Sequence, residues 1–381
     1  MGPMISATLL SVTLLAAPAS WPTSAWPESK PEAQGLEAGP LEALSAELKA
    51  GKHGYVDSML VIRHGHVVFE RSYPQDYDAL FATAPDKHRD LYNYYDPEWH
   101  PFYRKTRLHT MQSVRKSVTS ALLGIAMARG ELAGVDAPAA AFFDGYRVHA
   151  EDPRFVAMRL RDLLTMTSGI KWDESTVTYT DPANSCAAME ASKDWVQYVL
   201  DQPMAEAPGQ RFVYSSGVTE LLAQVLKKAT GHHADDYAEA HLFGPLGIRS
   251  FYWKRTPTGH PDTEGGLYLE PRDLAKLGLL YMNDGIWDGA RLLPAGWAAA
   301  STKAAVVANP KTGFEYGYQW WIVPMKAGRP AVFAADGYGG QYLLVVPSLD
   351  LMAVFTGWNI WDKPELDLVY ALDGVLRAVK P

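Results

Sequence analysis

Residues 113–128 read SVRKSVTSALLGIAMA, a short polar opening followed by a strongly apolar run. Apolar residues recur every three or four positions, which predicts a buried helix that starts near Ser113. A serine and a lysine three positions apart at a helix start lie on one face, so the Ser113 hydroxyl and the Lys116 amine are expected to meet. Ser113 also falls at the positive end of the helix dipole, which favours negative charge developing nearby.

The chemistry that this pair allows is nucleophilic catalysis. Burial favours the neutral form of a lysine, and a neutral Lys116 can take the proton that Ser113 must lose before it attacks a carbonyl group. The four-residue pattern is short, and taken alone it also fits a helix N-cap followed by a surface lysine. The pattern therefore indicates catalysis only if other segments of the chain supply partner residues.

The two ends of the chain carry short β-branched runs separated by turn residues. Near the amino end, two runs flank Arg63-His64-Gly65-His66, which predicts a hairpin. Toward the carboxyl end, three runs are separated by a glycine-rich turn and by Pro347-Ser348-Leu349-Asp350. We expect one antiparallel sheet flanked by a helix from each end of the chain. The predicted strands are Met59–Ile62, Val67–Phe69, Ala331–Ala335, Tyr342–Val346 and Leu351–Phe355, and the predicted helices are Pro40–Lys49 and Pro364–Val379.

Between the two ends the periodicity is helical. Several segments with apolar spacings of three and four fall between residues 113 and 261, and Gly130, Gly169 and Gly231 stand where helices should stop. The predicted fold is therefore a mixed α/β (α+β) protein with an all-helical domain inserted into the sheet domain. We predict residues 40–112 and 262–381 for the sheet domain and 113–261 for the helical domain.

The first forty residues predict an export signal and a linker. The apolar run Ile5–Ala17 and the small residues at its end are typical of a secretory leader over residues 1–19, although Met1–Met4 lacks the usual positive charge. We therefore expect a periplasmic or secreted protein without a stable membrane span in its mature form. Residues 20–39 are rich in proline and are predicted to be a linker outside the fold.

Composition limits the classes of function. Of the 381 residues, 48% are hydrophobic, which allows a sizeable core, and the net charge of −8 argues against a nucleic-acid-binding surface. The single cysteine, Cys186, excludes an internal disulfide and lacks the basic neighbour that would activate it as a nucleophile. His232 and His233, followed by Asp235 and Asp236, fit a helix start better than a metal site. We expect neither a metal nor an organic cofactor.

Two later segments supply partners for Ser113 and Lys116. Tyr214-Ser215-Ser216 precedes a predicted helix, and a tyrosine at such a loop tip can relay a proton between nucleophile and leaving group. Asp336-Gly337-Tyr338-Gly339-Gly340-Gln341 opens an apolar strand, where glycines allow a substrate to approach and leave a backbone N–H for an oxyanion. The order and spacing of the three segments are much rarer than any one of them.

With these motifs the sequence resembles the serine β-lactamase and penicillin-binding-protein superfamily. Within it, the sequence is most similar to the class C-like esterases and 6-aminohexanoate-dimer hydrolases. The likeness extends over nearly the whole chain after the leader and includes three scaffold segments, Leu163–Gly169, Gly265–Tyr268 and Tyr316–Trp321. It implies a β-lactamase/transpeptidase-like fold with an active site between the two domains.

The resemblance assigns roles to the motif residues. It implies that Ser113 is the acylated nucleophile, Lys116 its base and Tyr214 the proton relay. An oxyanion hole is expected from the backbone N–H groups of Ser113 and Tyr338, with Gly339 or Gly340 as alternatives to Tyr338. Substrate contacts are expected from the remaining motif residues, which are Ser216, Gly337, Gly339 and Gly340.

Two departures from the family pattern bear on the substrate. No Lys, Arg or His stands between Ala331 and Tyr342, where relatives that act on β-lactams usually carry a basic residue for the substrate carboxylate. Lys311-Thr312-Gly313 matches that motif in letters but falls before the expected strand. Ser216 stands where lactamases commonly have Asn.

These departures favour an esterase or amidase that acts on a small-molecule ester, amide or peptide. One alternative is a D-Ala-D-Ala carboxypeptidase or a weak β-lactamase. Another, of a different class, is a catalytically silent scaffold that binds peptides or cell-wall fragments in the same cleft.

Overall fold

The computed structural model describes residues 21–83, 99–324, 326, 328–360 and 365–380. Short strands of two to eight residues make up the β structure of these ranges. They are β1 (Val56–Arg63), β2 (His66–Ser72), β3 (His109–Thr110), β4 (Tyr252–Trp253), β5 (Leu267–Leu269), β6 (Ile286–Trp287), β7 (Ala290–Arg291), β8 (Val306–Asn309), β9 (Phe314–Tyr316), β10 (Trp321–Ile322), β11 (Phe333–Gly337), β12 (Gln341–Val346) and β13 (Leu351–Gly357).

Helices occupy the middle of the chain and both of its ends. They are α1 (Ala38–Lys49), α2 (Tyr77–Ala82), α3 (Lys116–Ala128), α4 (Pro153–Ala157), α5 (Leu160–Leu164), α6 (Ser185–Glu190), α7 (Trp195–Leu200), α8 (Ser216–Thr230), α9 (Ala234–Ala238), α10 (Gly244–Leu246), α11 (Pro271–Met282), α12 (Trp297–Ser301) and α13 (Leu368–Leu376). A π-helical turn, Glu239–Phe243, joins α9 to α10.

The main sheet has eight antiparallel strands in the order β2-β1-β13-β12-β11-β10-β9-β8. Pairing of β1 with β13, for example Leu60 with Val354, joins the two ends of the chain. The five predicted strands are all present, and the mixed α/β fold with an antiparallel sheet is confirmed. The sequence analysis missed β8, β9 and β10, because strands of two to four half-exposed residues are too short for alternation to show.

Each face of the sheet carries its own hydrophobic core. On one face Met59, Val61 and Phe355 pack with residues of α1 and α13, the helices expected from the two ends of the chain. On the other face Leu343 and Val345 belong to a cluster that continues without a break into α3, α8 and α11. The sheet is therefore covered on both sides, so its central strands are apolar on both faces rather than alternating.

Helix α11 lies close against the sheet because residue 278 is a glycine. A Cβ atom added to Gly278 would come within 2.8 Å of Met352 Sδ and 3.2 Å of Leu343 Cδ1. Contacts that short are repulsive, so any larger residue would push α11 away from β12 and β13. The close approach of α11 to β12 and β13 sets the packing of the hydrophobic core on this face of the sheet, to which α3 also contributes.

The linker predicted over residues 20–39 is wrong from Trp21 onward. Trp26 is buried and donates its indole N–H to the carbonyl of Arg272, and Leu36 is fully buried. Residues 27–29 also pair with Val67 at the edge of β2. The prolines thus shape an extended strap that packs on the body. The export signal predicted over residues 1–19 lies outside the described residues.

Membrane insertion is a separate question from fold. None of the helices in the described ranges combines the length and apolar character that a bilayer span requires.

Candidate active site

Ser113 lies at a tight turn between β3 and α3. The backbone N–H of Met111 bonds the carbonyl of Leu267 at 2.8 Å, which ties this segment to β5. Gln112 then adopts a left-handed conformation, with φ of +46°, and opens a 3₁₀ turn that runs directly into α3. A non-glycine residue in that region costs of order 1 kcal/mol, and such strain is often found beside functional groups.

Lys116 begins α3 and directs its amine at Ser113. Its Nζ atom lies 2.8 Å from Ser113 Oγ, 3.1 Å from Ser216 Oγ and 2.9 Å from the backbone carbonyl of Glu264. The carboxylate of Glu264 is 3.8 Å away. These three contacts match the three protons of an ammonium, or two protons and the lone pair of a neutral amine.

Tyr214 reaches the same hydroxyl from the start of α8. Ser215 caps α8 by accepting a hydrogen bond from Val218, so Tyr214 immediately precedes the helix. Its phenol interacts with the Ser113 side chain, Lys116 Nζ lies 5.3 Å from the centre of its ring, and the ring stacks on Trp321 with centroids 5.9 Å apart. Burial, followed by the nearby Glu174 carboxylate, raises the pKa of Tyr214 well above the usual value for a phenol. The phenol is therefore neutral near pH 7 and can donate a proton.

The glycine-rich segment runs beside the turn that carries Ser113. A Cβ atom on Gly337 would lie 2.7 Å from the carbonyl oxygen of Met111, so only glycine allows β11 this close to the turn. Tyr338 follows and lines the same cavity as Ser113 and Tyr214. This is the position from which its backbone N–H was predicted to serve an oxyanion.

Gly339 and Gly340 make the turn from β11 to β12, with φ values of +87° and +95°. The carbonyl of Gly339 accepts from the backbone N–H of Asn359, and a Cβ atom there would meet Trp358 at 3.2 Å. Neither glycine is among the described residues that line the cavity of Ser113. Both glycines therefore stand apart from the described cavity lining, and left-handed backbone at the turn accounts for them. The substrate contacts predicted for them stay predictions.

Ser216 likewise differs from the predicted substrate contact. Its side chain is buried, accepts from Lys116 and donates to Glu174 Oε1 at 2.9 Å. It is not among the described residues that line the cavity, whereas Gly337 is. Ser216 thus helps to orient the amine of Lys116 without itself facing the cavity.

Glu174 is the site residue that the motifs did not reveal. Its Oε2 atom accepts from Trp172 Nε1 at 2.5 Å and from the backbone N–H of Ser216 at 2.8 Å, while Oε1 accepts from Tyr179 and from the hydroxyl of Ser216. Burial raises the pKa of Glu174, and the positive charge of Lys116 opposes that shift. Its only sequence signal is its position in a long loop.

A second group of buried charges stands behind Lys116. Glu220 accepts from the backbone N–H of Thr263 at 2.6 Å and from its hydroxyl at 2.7 Å, and thereby holds the segment that presents Glu264 to Lys116. Burial and the neighbouring Asp262 raise the pKa of Glu220 to about 8. Arg115 is also fully buried, and burial lowers its pKa to about 10. The nucleophile turn therefore rests on a layer of buried ionisable groups as well as on apolar core.

The cavity in front of Ser113 has a volume of about 840 Å³, large enough for a small-molecule substrate. Much of its wall is aromatic, from Trp172, Tyr179, Phe212, Tyr214, Phe314, Trp321, Tyr338 and Tyr342. Lys311-Thr312-Gly313 forms the turn between β8 and β9, away from β11, so it is not the third motif. Only Thr312 of that turn reaches the cavity.

Cys186 has the surroundings of a structural thiol. It is fully buried in α6, and burial together with Glu190 raises the pKa of the thiol well above its ordinary value. Cys186, Glu190 and Glu264 bring potential metal-ligand atoms within 4.8 Å of one another. However, the amine of Lys116 lies 3.8 Å from Glu264 and already stands beside that carboxylate.

Comparisons with known proteins identify the family and similar folds. A family model described as Beta-lactamase matches residues 42–363. The chain is 24% identical over 305 residues to the 6-aminohexanoate-dimer hydrolase of Paenarthrobacter ureafaciens, an alignment that covers 70% of this chain and 73% of that protein.

Two solved structures are similar in fold. EstCE1, described as a hydrolase with promiscuous acyltransferase activity, aligns with a TM-score of 0.65 and 16% identity, covering 90% of this chain and 98% of its own. A D-stereospecific amidohydrolase from Streptomyces sp. aligns with a TM-score of 0.62 and 16% identity, covering 88% and 98%. At these identities the likeness establishes the fold alone.

Proposed function

This chain belongs to the β-lactamase family, and from that premise we propose that it is a serine hydrolase that cleaves an ester or a linear amide through an acyl-enzyme on Ser113. The observation that carries the proposal is the 2.8 Å contact between Lys116 Nζ and Ser113 Oγ, beside which Tyr214 lines the same cavity. The similar proteins are described as a 6-aminohexanoate-dimer hydrolase, a hydrolase with promiscuous acyltransferase activity and an amidohydrolase, which supports the same class of reaction.

Acylation begins with attack of Ser113 Oγ on the substrate carbonyl carbon. The proton of the hydroxyl passes to the lone pair of Lys116, while the other two N–H groups stay on Ser216 and on the carbonyl of Glu264. The resulting ammonium is stabilised by the Glu264 carboxylate at 3.8 Å. The negative charge on the former carbonyl oxygen is proposed to rest on the backbone N–H groups of Ser113 and Tyr338.

Expulsion of the leaving group requires a proton, and Tyr214 is the proposed donor. Because its phenol is neutral, Tyr214 can protonate the departing oxygen or nitrogen and recover a proton from Lys116. The bond from the carbonyl carbon to the leaving atom breaks, and an ester of Ser113 remains. Water then attacks that ester by the reverse proton path and releases the acid.

We favour esters and linear amides over β-lactams for two reasons. The strand beside Ser113 offers no Lys, Arg or His between residues 331 and 342 to bind a substrate carboxylate. Ser216 is enclosed between Lys116 and Glu174 and cannot offer the amide contact of an asparagine. A D-Ala-D-Ala carboxypeptidase or weak β-lactamase would instead be indicated by covalent labelling with a fluorescent penicillin faster than ester turnover.

The proposal is tested by incubation with p-nitrophenyl acetate and with a fluorophosphonate probe, followed by mass spectrometry of the intact chain and its peptides. We expect a single adduct on Ser113 and loss of turnover in Ser113→Ala by several orders of magnitude. Ser175→Ala is the matched control, because Ser175 is an exposed serine of the same cavity. Labelling of another residue, or full turnover in Ser113→Ala, would overturn the assignment.

A further inference from the structure

A buried histidine on β3, His109, shortly precedes the nucleophile in sequence and takes no part in the proposed proton path. Both nitrogen atoms of its ring have partners. Nδ1 lies 2.8 Å from the backbone carbonyl oxygen of Thr110, and Nε2 lies 2.9 Å from Asp57 Oδ2. A carbonyl oxygen can only accept a hydrogen bond, so Nδ1 carries a proton. The ring of His109 therefore acts on the backbone of its own strand and not on a substrate.

The Thr110 carbonyl belongs to the peptide group that begins the turn to the nucleophile. The N–H of the same peptide group is that of Met111, which donates to the carbonyl of Leu267 on β5 at 2.8 Å. In a trans peptide the N–H and C=O groups point in opposite directions, so the Thr110 carbonyl points away from β5 and needs a donor from the other side. The ring of His109 supplies that donor. The peptide group is thus held at both ends.

The orientation of this peptide group matters because the turn that follows is strained. Gln112, which directly precedes Ser113, has a φ of +46°. A non-glycine residue keeps such a conformation only where the surrounding contacts enforce it. The side chain of Gln112 makes one such contact by donating to Thr110 Oγ1 at 3.1 Å. A rotation of the peptide group after Thr110 would be passed along the turn and would move the Ser113 hydroxyl relative to Lys116.

Asp57 holds the ring of His109 from its other nitrogen. The register of β1 against β13 shifts between Val56 and Ser58, so Asp57 stands at a β-bulge, an irregularity that redirects a side chain. Its carboxylate also accepts from the phenol of Tyr77 on α2 at 2.8 Å, and the carboxylate and the imidazole are both almost fully buried. Burial raises the pKa of Asp57, and the hydrogen bond with His109 opposes that shift. The pair therefore fixes the position of the ring.

We propose that His109 is a positioning residue for the acylation of Ser113. Its Nδ1–H group holds the Thr110 carbonyl and thereby the turn that presents the nucleophile, while Asp57 fixes the ring. The inference rests on the proposed function, since it concerns the same nucleophile, and it gives a role to a residue outside the motif segments. The role belongs to one of the two contacts of the ring, and substitution can separate these contacts.

Two conservative substitutions make the separation. In His109→Asn the amide nitrogen occupies the position of Nδ1 and can still donate to the Thr110 carbonyl, but Asp57 loses its contact with the ring. In His109→Gln the amide nitrogen occupies the position of Nε2 and can still donate to Asp57, but the Thr110 carbonyl loses its donor. Because the loss of one partner of a buried ion pair is the more costly change, the melting temperature of His109→Asn should lie at least about 3 °C below that of His109→Gln.

Reactivity of Ser113 should follow the opposite order. We expect the rate constant for fluorophosphonate labelling to stay within about threefold of the parent value in His109→Asn and to fall at least about tenfold in His109→Gln, since a displacement of about 1 Å near a reacting group can cost about 10²-fold. A purely structural role predicts instead that the less stable variant is also the less reactive one. That order, or equal labelling rates in the two variants, would overturn the proposal.

His66→Gln is the matched control. The ring of His66, in the hairpin of β1 and β2, also places Nδ1 against a backbone carbonyl, that of His64 at 2.8 Å. His66 is not among the described residues that line the cavity, so the same substitution there should leave the labelling rate unchanged. If His109→Asn does not fold, His109→Gln is compared with the parent chain and with His66→Gln. Labelling of His109→Gln at the parent rate would then overturn the proposal.

Failure of the proposed function gives a different result from failure of this inference. Absence of label on Ser113 in the parent chain refutes the function. Hydrogen exchange of the backbone amides of residues 110–114, followed by mass spectrometry, tests the role of His109 without any reaction at the nucleophile. Faster exchange in His109→Gln than in the less stable His109→Asn supports the inference, and equal or slower exchange contradicts it.

Discussion

Replacement of Glu174 tests whether a buried carboxylate positions Lys116 through Ser216. In Glu174→Gln, the amide oxygen can stay where Oε2 accepts from Trp172 and from the backbone of Ser216. The amide NH₂ then takes the place of Oε1 and donates to the hydroxyl of Ser216. The Ser216 hydroxyl can then no longer donate its proton to residue 174. Its other hydrogen-bond partner is Lys116, to which it would donate instead.

The magnitudes follow from these contacts. A Ser216 hydroxyl that donates to Lys116 competes with Ser113 for the lone pair, and a neutral hydrogen bond contributes about 1 to 1.5 kcal/mol. We therefore expect kcat to fall about tenfold in Glu174→Gln, with KM nearly unchanged. The fold should lose less than about 1 kcal/mol, because both buried N–H donors keep an acceptor and the part-buried Tyr179 hydroxyl, which donated to Oε1, can accept from the new NH₂ group. Glu174→Ala leaves those donors without one and should lose about 4 kcal/mol, within a range of about 2 to 6.

The assays are steady-state hydrolysis of p-nitrophenyl acetate and urea unfolding. Asp173→Asn is the matched control, since Asp173 is on the same loop and its carboxylate contacts Thr176 rather than Ser216. Equal kcat values in Glu174→Gln and Asp173→Asn would refute the positioning role. Equal losses of stability in Glu174→Gln and Glu174→Ala would refute the hydrogen-bond assignment.

Further predictions concern the relay, the strand and the buried charges. Tyr214→Phe should lower kcat by about 10² to 10⁴ while Ser113 still labels slowly, because only the relay proton is lost; unchanged turnover contradicts it. Gly337→Ala should lower both kcat and melting temperature, since its Cβ atom meets the Met111 carbonyl at 2.7 Å; a fully active, stable variant contradicts it. Glu220 should stabilise the fold most below about pH 4.5, and that contribution is lost as pH rises through about 8. The free energy of unfolding of Glu220→Gln, relative to that of the parent chain, should therefore be higher at pH 8 than at pH 5. A difference that does not change with pH would contradict this.

The sequence allowed the elements of the fold to be predicted where the signal was local. The helix after Ser113 carries a helical periodicity, and the strands β1, β2, β11, β12 and β13 contain short apolar runs bounded by turn residues, which a short window reveals. The contact of Ser113 with Lys116 is of the same kind, because three positions on a helical turn bring two side chains to one face. Tyr214 was singled out from its place before a predicted helix, and the family resemblance assigned it the role of proton relay.

The tertiary structure alone decided which distant groups surround that pair. Ser216 is 100 residues from Lys116 and Glu264 is 148, and neither separation has a period that a sequence window can show. Glu174 stands in a loop without a motif, and only the packing of that loop under α8 places its carboxylate against Ser216. The prediction of a linker over residues 20–39 failed for the same reason. The groups that hold Trp26 and its neighbours lie on β2 and α11, far away along the chain. Local chain geometry determines elements, whereas burial and hydrogen bonding between elements determine a site.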